Sequence, residues 1–139
     1  MHRRFPARLA ELDAARLAID EFAARAGICV EDCQRLVLIA EELFVNTVRH
    51  GYGAECDRPV SISLHCTPTL LEFRFEDEAP AFDPVVQLPI AALGADADAR
   101  PLGGLGVFLA LTLSREARYR REDGRNVIEL TFTRSGHAA

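Results

Sequence analysis

The sequence predicts an α+β domain, a two-layer α/β sandwich whose helices cover one face of a mostly antiparallel sheet. Two long segments have apolar residues at helical spacing, over residues 7–26 and 31–50. Alternating apolar and polar residues follow at 60–66 and 70–75, a pattern typical of half-buried strands. A hairpin pattern over 117–133 is the last regular element.

The two predicted helices have clear end signals. Gly27 ends the first helix, as a glycine with a left-handed backbone often does. The second helix has Glu31 and Asp32 in its first turn and His50 in its last, which the helix dipole favours, and it stops at Gly51.

The middle of the chain contains residues that break regular structure. Residues 76–84 form a loop rich in Asp, Glu, Ala and Pro, and residues 85–102 contain Pro, Gly and alternating Ala and Asp. We expect 85–102 to be a lid or a linker, because this composition offers little apolar surface to anchor it. The apolar residues 106–113 are expected to form a short buried helix.

The C-terminal part is predicted to be a hairpin with strands at 117–121 and 127–133 around the turn 122–124. Residues 135–139 are expected to be a disordered tail. The sequence contains no internal repeat, and its length suits one hydrophobic core. We therefore expect a single domain over residues 1–139.

Charge and composition exclude several classes of protein. The formal net charge is −5, so no excess of cations is available to bind a nucleic acid. All 16 basic residues are Arg, which excludes a P-loop nucleotide site because that site needs a Lys. No apolar run is long enough to span a membrane, and the N-terminus does not resemble a secretory leader. The expected location is the cytoplasm.

The four cysteines raise the question of a metal site. Cys29 and Cys33 lie four residues apart, and His65 precedes Cys66, but no Cys-x-x-Cys pair is present. These spacings match no standard zinc pattern. We interpret the cysteines, including Cys56, as reduced thiols that behave as small apolar side chains.

Glu42 and Asn46 form the first candidate functional pair. They lie four residues apart, and therefore on one helix face, opposite the apolar residues of the same helix. A solvated Glu and Asn on an amphipathic helix would give the same pattern. The functional alternative assigns Asn46 to Mg²⁺ and Glu42 to a hydroxyl or water near a phosphate. Glu41 points to another side of the helix and is expected to be structural.

Asp77 is the second candidate, at the end of an apolar strand. Its carboxylate could accept a hydrogen bond from the exocyclic amine of adenine, or it could simply begin the turn before Pro80. Phe82, in the same loop, is either a wall of an adenine site or a core residue.

A glycine-rich turn is the third candidate element. It contains Gly103, Gly104 and Gly106, with Leu105 among them and Val107 after them. Such a turn at the start of an apolar helix exposes backbone N–H groups that can bind phosphates. A plain helix-entry loop would have the same composition.

The order and spacing of these elements resemble a known family. The sequence is similar to the N, G1 and G2 boxes of the GHKL ATPases, which have the Bergerat fold. The motifs are Glu-x-x-x-Asn-x-x-x-His-Gly-Tyr (42–52), Asp-x-x-x-x-Phe-Asp-Pro (77–84), Gly-Gly-Leu-Gly-Val-Phe-Leu (103–109) and Tyr-Arg-Arg-Glu-Asp-Gly-Arg-Asn-Val (119–127). Within that group, the chain most resembles the small anti-sigma factor serine/threonine kinases, over nearly its whole length.

The resemblance implies ATP or ADP with Mg²⁺ as ligands, bound under a lid. It implies Glu42 as catalytic base, Asn46 on Mg²⁺ and Asp77 on adenine, with the segment 103–107 around the phosphates. It also implies partners: a STAS-domain anti-anti-sigma protein that is phosphorylated on Ser or Thr, a sigma factor or other regulatory protein, and a second copy of the chain in a homodimer.

Three positions depart from the family pattern. Ala79 stands where the G1 box usually has Gly, and Arg115 stands near a position where Asp is common. Arg100 is the nearest cation before the G2 glycines, where many members have an adjacent Arg. These departures leave a second function open, a nucleotide-binding regulatory module that sequesters a partner with little or no kinase turnover. The ATPase domain of a sensor histidine kinase is a third alternative, but no helix pair with a phosphoacceptor His precedes the domain.

Overall fold

The protein is described by a computed structural model over residues 1–81 and 114–135. Within these residues, two α-helices and five strands follow one another along the chain. They are β1 (His2–Pro6), α1 (Leu12–Ala26), α2 (Val30–Asn46), β2 (Pro59–Cys66), β3 (Leu70–Asp77), β4 (Glu116–Glu122) and β5 (Arg125–Thr133). A 3₁₀ turn (Leu9–Glu11) precedes α1, and a π-helical turn (Thr47–Gly51) follows α2.

The five strands form one sheet in the order β1-β2-β3-β5-β4, with every neighbouring pair antiparallel. The central strand is β3. At its end, Asp77 lies opposite Val60 of β2 and Asn126 of β5. The strand register therefore brings two polar residues, Asp77 and Asn126, side by side in the middle of the sheet.

One face of this sheet packs against the helices. Its buried residues alternate along β2, β3 and β5 and are Val60, Ile62, Leu64, Leu71, Phe73, Phe75, Ile128, Leu130 and Phe132. The helices contribute apolar side chains to the same core, among them Ile19, Leu36 and Leu43. Phe5 of β1 meets Phe44 of α2 edge to face, with ring centroids 6.4 Å apart. The predicted fold class, with helices on one face of an antiparallel sheet, is confirmed.

The first strand was not predicted. It is an edge strand in which Phe5 alone is fully buried, so it lacks the apolar alternation that marks a strand in sequence. As a consequence, α1 begins at Leu12 and not at residue 7. Its predicted end is confirmed, because Gly27 has a φ of 67° and donates its N–H to the carbonyl of Ala23.

The second helix changes geometry where the candidate residues lie. The sequence predicted α-helix to His50, but α2 ends at Asn46 and a π-helical turn replaces its last predicted turn. The N–H of Tyr52 bonds to the carbonyl of Thr47, five residues earlier, at 2.7 Å. Wider turns of this kind often occur at functional sites. Here the turn begins directly after Asn46, and its first residue, Thr47, is buried.

The other strands agree with the predicted pattern. β2 and β3 match the predicted segments to within two residues at each end. β4 and β5 form the predicted hairpin, with Asp123 and Gly124 in its turn at φ values of 51° and 75°. Two successive positive φ angles are what a tight two-residue hairpin turn requires.

Three predicted segments fall wholly or partly beyond the described residues. The expected lid at 85–102 and the expected helix at 106–113 lie outside them, as do residues 136–139 of the expected tail. Ser135, the first residue of that tail, donates its N–H to the carboxylate of Asp32 at 2.7 Å. Among the described helices, none combines the length and apolar character needed to cross a membrane.

Candidate functional site

Glu42 lies on α2, and its side chain is half-buried. Burial raises the pKa of its carboxyl above the ordinary glutamate value, and the negative charge of neighbouring Glu41 adds to this shift. Glu41 itself faces α1, where its carboxylate lies 3.9 Å from Nε of Arg16. The two adjacent carboxylates therefore have different surroundings.

Asn46 is the last residue of α2, one helical turn beyond Glu42. The predicted pair thus shares one helix face, at the point where the α-helix gives way to the π-helical turn. Asn46 is partly exposed. The next residue, Thr47, is buried, and its hydroxyl reaches Asp77.

Asp77 is buried, with 8% of its surface exposed, and three donors fix its carboxylate. The hydroxyl of Thr47 donates to Oδ2 at 2.7 Å. The side-chain amide of Asn126 donates to Oδ1 at 2.8 Å, and the N–H of Ala79 donates to the same oxygen at 3.1 Å. Each carboxylate oxygen offers about two lone pairs. Among the described residues, Oδ1 has two donors and Oδ2 has one, so Oδ2 can accept a further hydrogen bond.

Ala79 occupies the position where the resemblance led us to expect glycine. It is 1% exposed, and among the described non-glycine residues only Asp123 has a positive φ, so Ala79 is unstrained. Its methyl group lies against Gly51, where an added Cβ would come within 3.0 Å of it. The extra methyl is therefore accommodated by a glycine on the π-helical turn, and the loop after Asp77 sits close to that turn.

A polar cluster on the β4–β5 hairpin supports this loop from the other side. Arg121 donates to the carbonyl of Ala79 at 2.6 Å and to the side-chain oxygen of Asn126 at 3.1 Å. Tyr119 donates its hydroxyl proton to the same oxygen of Asn126 at 2.6 Å. The hairpin thus holds both the carboxylate of Asp77 and the backbone that follows it.

Tyr52 holds the same loop from the side of the π-helical turn. Its hydroxyl donates to the carbonyl of Pro59 at 2.7 Å and accepts the N–H of Glu78 at 2.8 Å. The guanidinium of Arg58 lies over its ring, 4.9 Å from the centroid. Burial raises the pKa of the Tyr52 hydroxyl, so it stays protonated and keeps donating across the neutral range.

Of the predicted site residues, the structure describes Glu42, Asn46, Asp77 and Ala79 and brings the last two into direct contact. The others lie outside the described residues, and their roles stay predictions: Phe82, Arg100, Gly103, Gly104, Leu105, Gly106 and Val107. Sequence reasoning did not assign a role to Thr47 or Asn126. The available signal was the antiparallel pairing, which sets polar Asn126 opposite polar Asp77.

A family model for the histidine kinase-like ATPase domain matches residues 5–132 of the chain. The chain belongs to this family. The match extends from Phe5 of β1 to Phe132 of β5 and so includes every described element of the sheet. The Asp77 cluster and the α2 face with Glu42 are therefore features of a histidine kinase-like ATPase domain.

Curated relatives of this ATPase domain are named serine-protein kinase RsbW. The protein of that name from Listeria innocua is 28% identical over 128 residues, which is 90% of this chain and 82% of the relative. The one from Bacillus subtilis is 28% identical over 124 residues, or 87% of this chain and 78% of the relative. The predicted resemblance to the anti-sigma factor kinases is confirmed by the family match and these relatives.

Solved structures show the same fold. The crystal structure of the RsbU and RsbW domains from Mycobacterium tuberculosis matches 95% of this ATPase domain with a TM-score of 0.64 and 18% identity. This chain corresponds to 31% of that longer protein. The SiaB–SiaC complex from Pseudomonas aeruginosa contains a chain that matches 96% of this one, with a TM-score of 0.58 and 14% identity.

Proposed function

We propose that this chain is an ATP-dependent serine/threonine kinase that phosphorylates a STAS-domain anti-anti-sigma protein and regulates a sigma factor by partner switching. The observation that supports nucleotide binding is the carboxylate of Asp77. Within residues 1–81 and 114–135, three donors hold it, and Oδ2 accepts only one of these hydrogen bonds. The exocyclic amine of adenine is a donor that fits this position. Guanine presents a carbonyl oxygen at the same point of the ring, which a carboxylate repels.

Asn46 is the proposed protein ligand of Mg²⁺. Within the described residues, no group of three or more His, Cys, Asp or Glu side chains could hold a metal ion. Magnesium commonly binds one or two protein oxygens and takes its other ligands from phosphates and water, so a single amide oxygen suits it. When bound, Mg²⁺ neutralises charge on the phosphates, and the segment 103–107 is proposed to cradle them.

Glu42 is the proposed general base. A serine or threonine hydroxyl must lose its proton as it attacks the γ-phosphate, and a carboxylate within reach can accept that proton. Because burial and Glu41 raise the pKa of Glu42, its carboxylate is a stronger base than an exposed glutamate. Its partial exposure leaves it accessible to a hydroxyl on a protein partner.

The protein partners are proposed from the relatives. Those named serine-protein kinase RsbW are 27% to 28% identical to this chain, and the first of them matches over 82% of its own length. With the motif resemblance, these names support a STAS-domain substrate, a sigma factor or similar protein as second partner, and a homodimer. Light scattering after size exclusion would measure the dimer directly.

The test of the proposed function is phosphate transfer. The purified chain is incubated with Mg²⁺, γ-labelled ATP and each STAS-domain protein encoded in the same genome. We expect label on one serine or threonine of one STAS protein, with no transfer when Mg²⁺ is chelated. Saturable ATP binding without transfer to any STAS protein would contradict the kinase and support the sequestering module. Absence of ATP binding would contradict both.

A further inference from the structure

A chain of hydrogen bonds links β4, β5, β3 and the π-helical turn through the middle of the protein. It runs from the hydroxyl of Tyr119 to Asn126, from Asn126 to Asp77, and to Asp77 from Thr47. Asn126 and Thr47 are 4% and 5% exposed. Buried polar networks of this kind hold their members in one arrangement, provided that each donor has an acceptor.

The contacts of Asn126 determine which way its amide points. Its oxygen accepts from Tyr119 at 2.6 Å and from Arg121 at 3.1 Å. A guanidinium can only donate, so the group facing Arg121 must be the oxygen and the NH₂ group must face Asp77. That NH₂ group lies 2.8 Å from Oδ1 of Asp77 and also reaches the carbonyls of Ala79 and Pro80, at 3.2 and 3.0 Å.

We propose that Asn126 is a positioning residue that sets the base selectivity of Asp77, an inference that rests on the proposed adenine nucleotide site. The donors on Oδ1 hold the carboxylate in one orientation and leave Oδ2 to meet the base. An ionised Asp77 accepts from the amine of adenine. Displacement of this carboxylate would remove the contact that distinguishes adenine from guanine.

The groups around Asp77 show why Asn126 is decisive for the orientation of its carboxylate. Thr47, from the π-helical turn, and the N–H of Ala79 are neutral donors. Arg121, from β4, contacts Asn126 and the Ala79 carbonyl, and the structure gives it no bond to Asp77. Burial raises the pKa of the Tyr52 hydroxyl, and the negative charge of nearby Asp77 adds a smaller contribution. The side-chain donor from β5 is therefore the amide of Asn126.

The variant Asn126→Asp tests this role because it keeps the shape of the side chain. Its oxygen facing Tyr119 and Arg121 can still accept, while the other would face Asp77 across the present 2.8 Å contact. Two carboxylates at that distance share one proton at lower pH and repel each other once both are ionised. Repulsion at higher pH should displace the carboxylate of Asp77 from the base, so the ADP affinity of the variant should fall as pH rises.

Binding of ADP and GDP with Mg²⁺ is measured by calorimetry from about pH 6 to pH 9, a range that spans ionisation of a coupled carboxyl pair. We expect ADP affinity of Asn126→Asp to fall about tenfold or more across this range, and its preference for ADP over GDP to shrink by a similar factor. Thr133→Asp is the charge-matched control, an exposed position on the same strand, and should behave as wild type.

Tyr119→Phe is the second variant, because it removes one bond to the Asn126 oxygen and leaves Asp77 untouched. This variant should lower the preference for ADP over GDP, but by less than Asn126→Asp does. A pH-independent profile with wild-type selectivity in Asn126→Asp would overturn the inference, as would an equal loss for ADP and GDP. If the wild type itself binds no ADP, the proposed function fails as well.

Discussion

The hydroxyl of Thr47 donates to Oδ2 of Asp77 at 2.7 Å, across 30 residues of sequence. Thr47 directly follows Asn46, the proposed Mg²⁺ ligand, at the point where α2 becomes a π-helical turn. Adjacent residues of one turn therefore serve the phosphate end and the adenine end of the proposed nucleotide site.

Thr47→Val tests that link, since valine has the shape of threonine without its hydroxyl. We expect ADP affinity to fall about tenfold, because a hydrogen bond to a charged group is lost inside the protein. Calorimetric titration measures the affinity, and thermal unfolding reports whether the fold is kept. Thr47→Ser retains the hydroxyl and is the matched control. Equal affinity of Thr47→Val and wild type would show that this bond has no role in binding.

Asp77→Asn should remove the discrimination between adenine and guanine. The amide has both a donor and an acceptor, so it can meet the amine of adenine or the carbonyl of guanine. The ratio of GDP to ADP dissociation constants is the measurement, and we expect it to approach unity. Glu78→Gln, on the adjacent and more exposed residue, is the control and should keep the wild-type ratio. An unchanged ratio in Asp77→Asn would refute the adenine assignment.

Gly51 and Ala79 should show coupled effects on stability. A methyl group at Gly51 would lie 3.0 Å from that of Ala79, so Gly51→Ala is expected to destabilise the fold by about 1 kcal/mol or more through overpacking. Ala79→Gly removes the opposing methyl, and the double variant should recover part of the loss. Urea unfolding of the four proteins gives the coupling free energy. Strictly additive changes in the free energy of unfolding would mean that the methyl groups at the two positions do not clash.

The sequence predicted the parts of this molecule that follow from local pattern. The second helix, β2, β3 and the C-terminal hairpin have strong apolar periodicity, and Glu42, Asn46 and Asp77 stood out by motif. The features that were not predicted depend on contacts between residues that are distant in sequence. β1 becomes a strand by pairing with β2, although Phe5 alone of its residues is fully buried.

The network around Asp77 was missed for the same reason. Thr47 and Asn126 are ordinary polar residues in sequence, and their role appears only when the strand register and the π-helical turn bring them to one carboxylate. The change from α to π geometry after Asn46 has no clear signal in the residues themselves. Local propensity continues the α-helix to His50, whereas the structure has a π-helical turn there whose first residue, Thr47, contacts Asp77.

Asn46→Ala should abolish the gain in nucleotide affinity that Mg²⁺ provides. Loss of a metal-ligating oxygen is expected to reduce Mg²⁺-dependent ADP affinity about tenfold or more, while affinity measured with a chelator stays unchanged. Titrations with and without Mg²⁺ measure the Mg²⁺-dependent and the Mg²⁺-independent parts of the ADP affinity separately. Arg49→Ala, at an exposed position of the same turn, serves as control. If Mg²⁺ strengthens binding to the variant as much as to wild type, Asn46 is not a ligand of the ion.

The pH dependence of phosphate transfer should report the state of Glu42. A base acts in its ionised form, so the rate falls as pH drops through the pKa of this carboxyl. Because burial raises that pKa, the fall should begin at a higher pH than for an ordinary glutamate. Glu41→Gln removes the neighbouring negative charge that contributes to the shift, and the acid limb of its profile should move to lower pH.

The most direct test of the kinase is single-turnover phosphate transfer by Glu42→Gln, compared with Glu41→Gln and wild type. Glutamine keeps the shape of residue 42 and removes the base. We predict unchanged ATP and STAS-protein binding, a transfer rate lower by about two to four orders of magnitude in Glu42→Gln, and a rate near wild type in Glu41→Gln. Equal transfer rates for Glu42→Gln and wild type would contradict the assignment of Glu42 as the catalytic base.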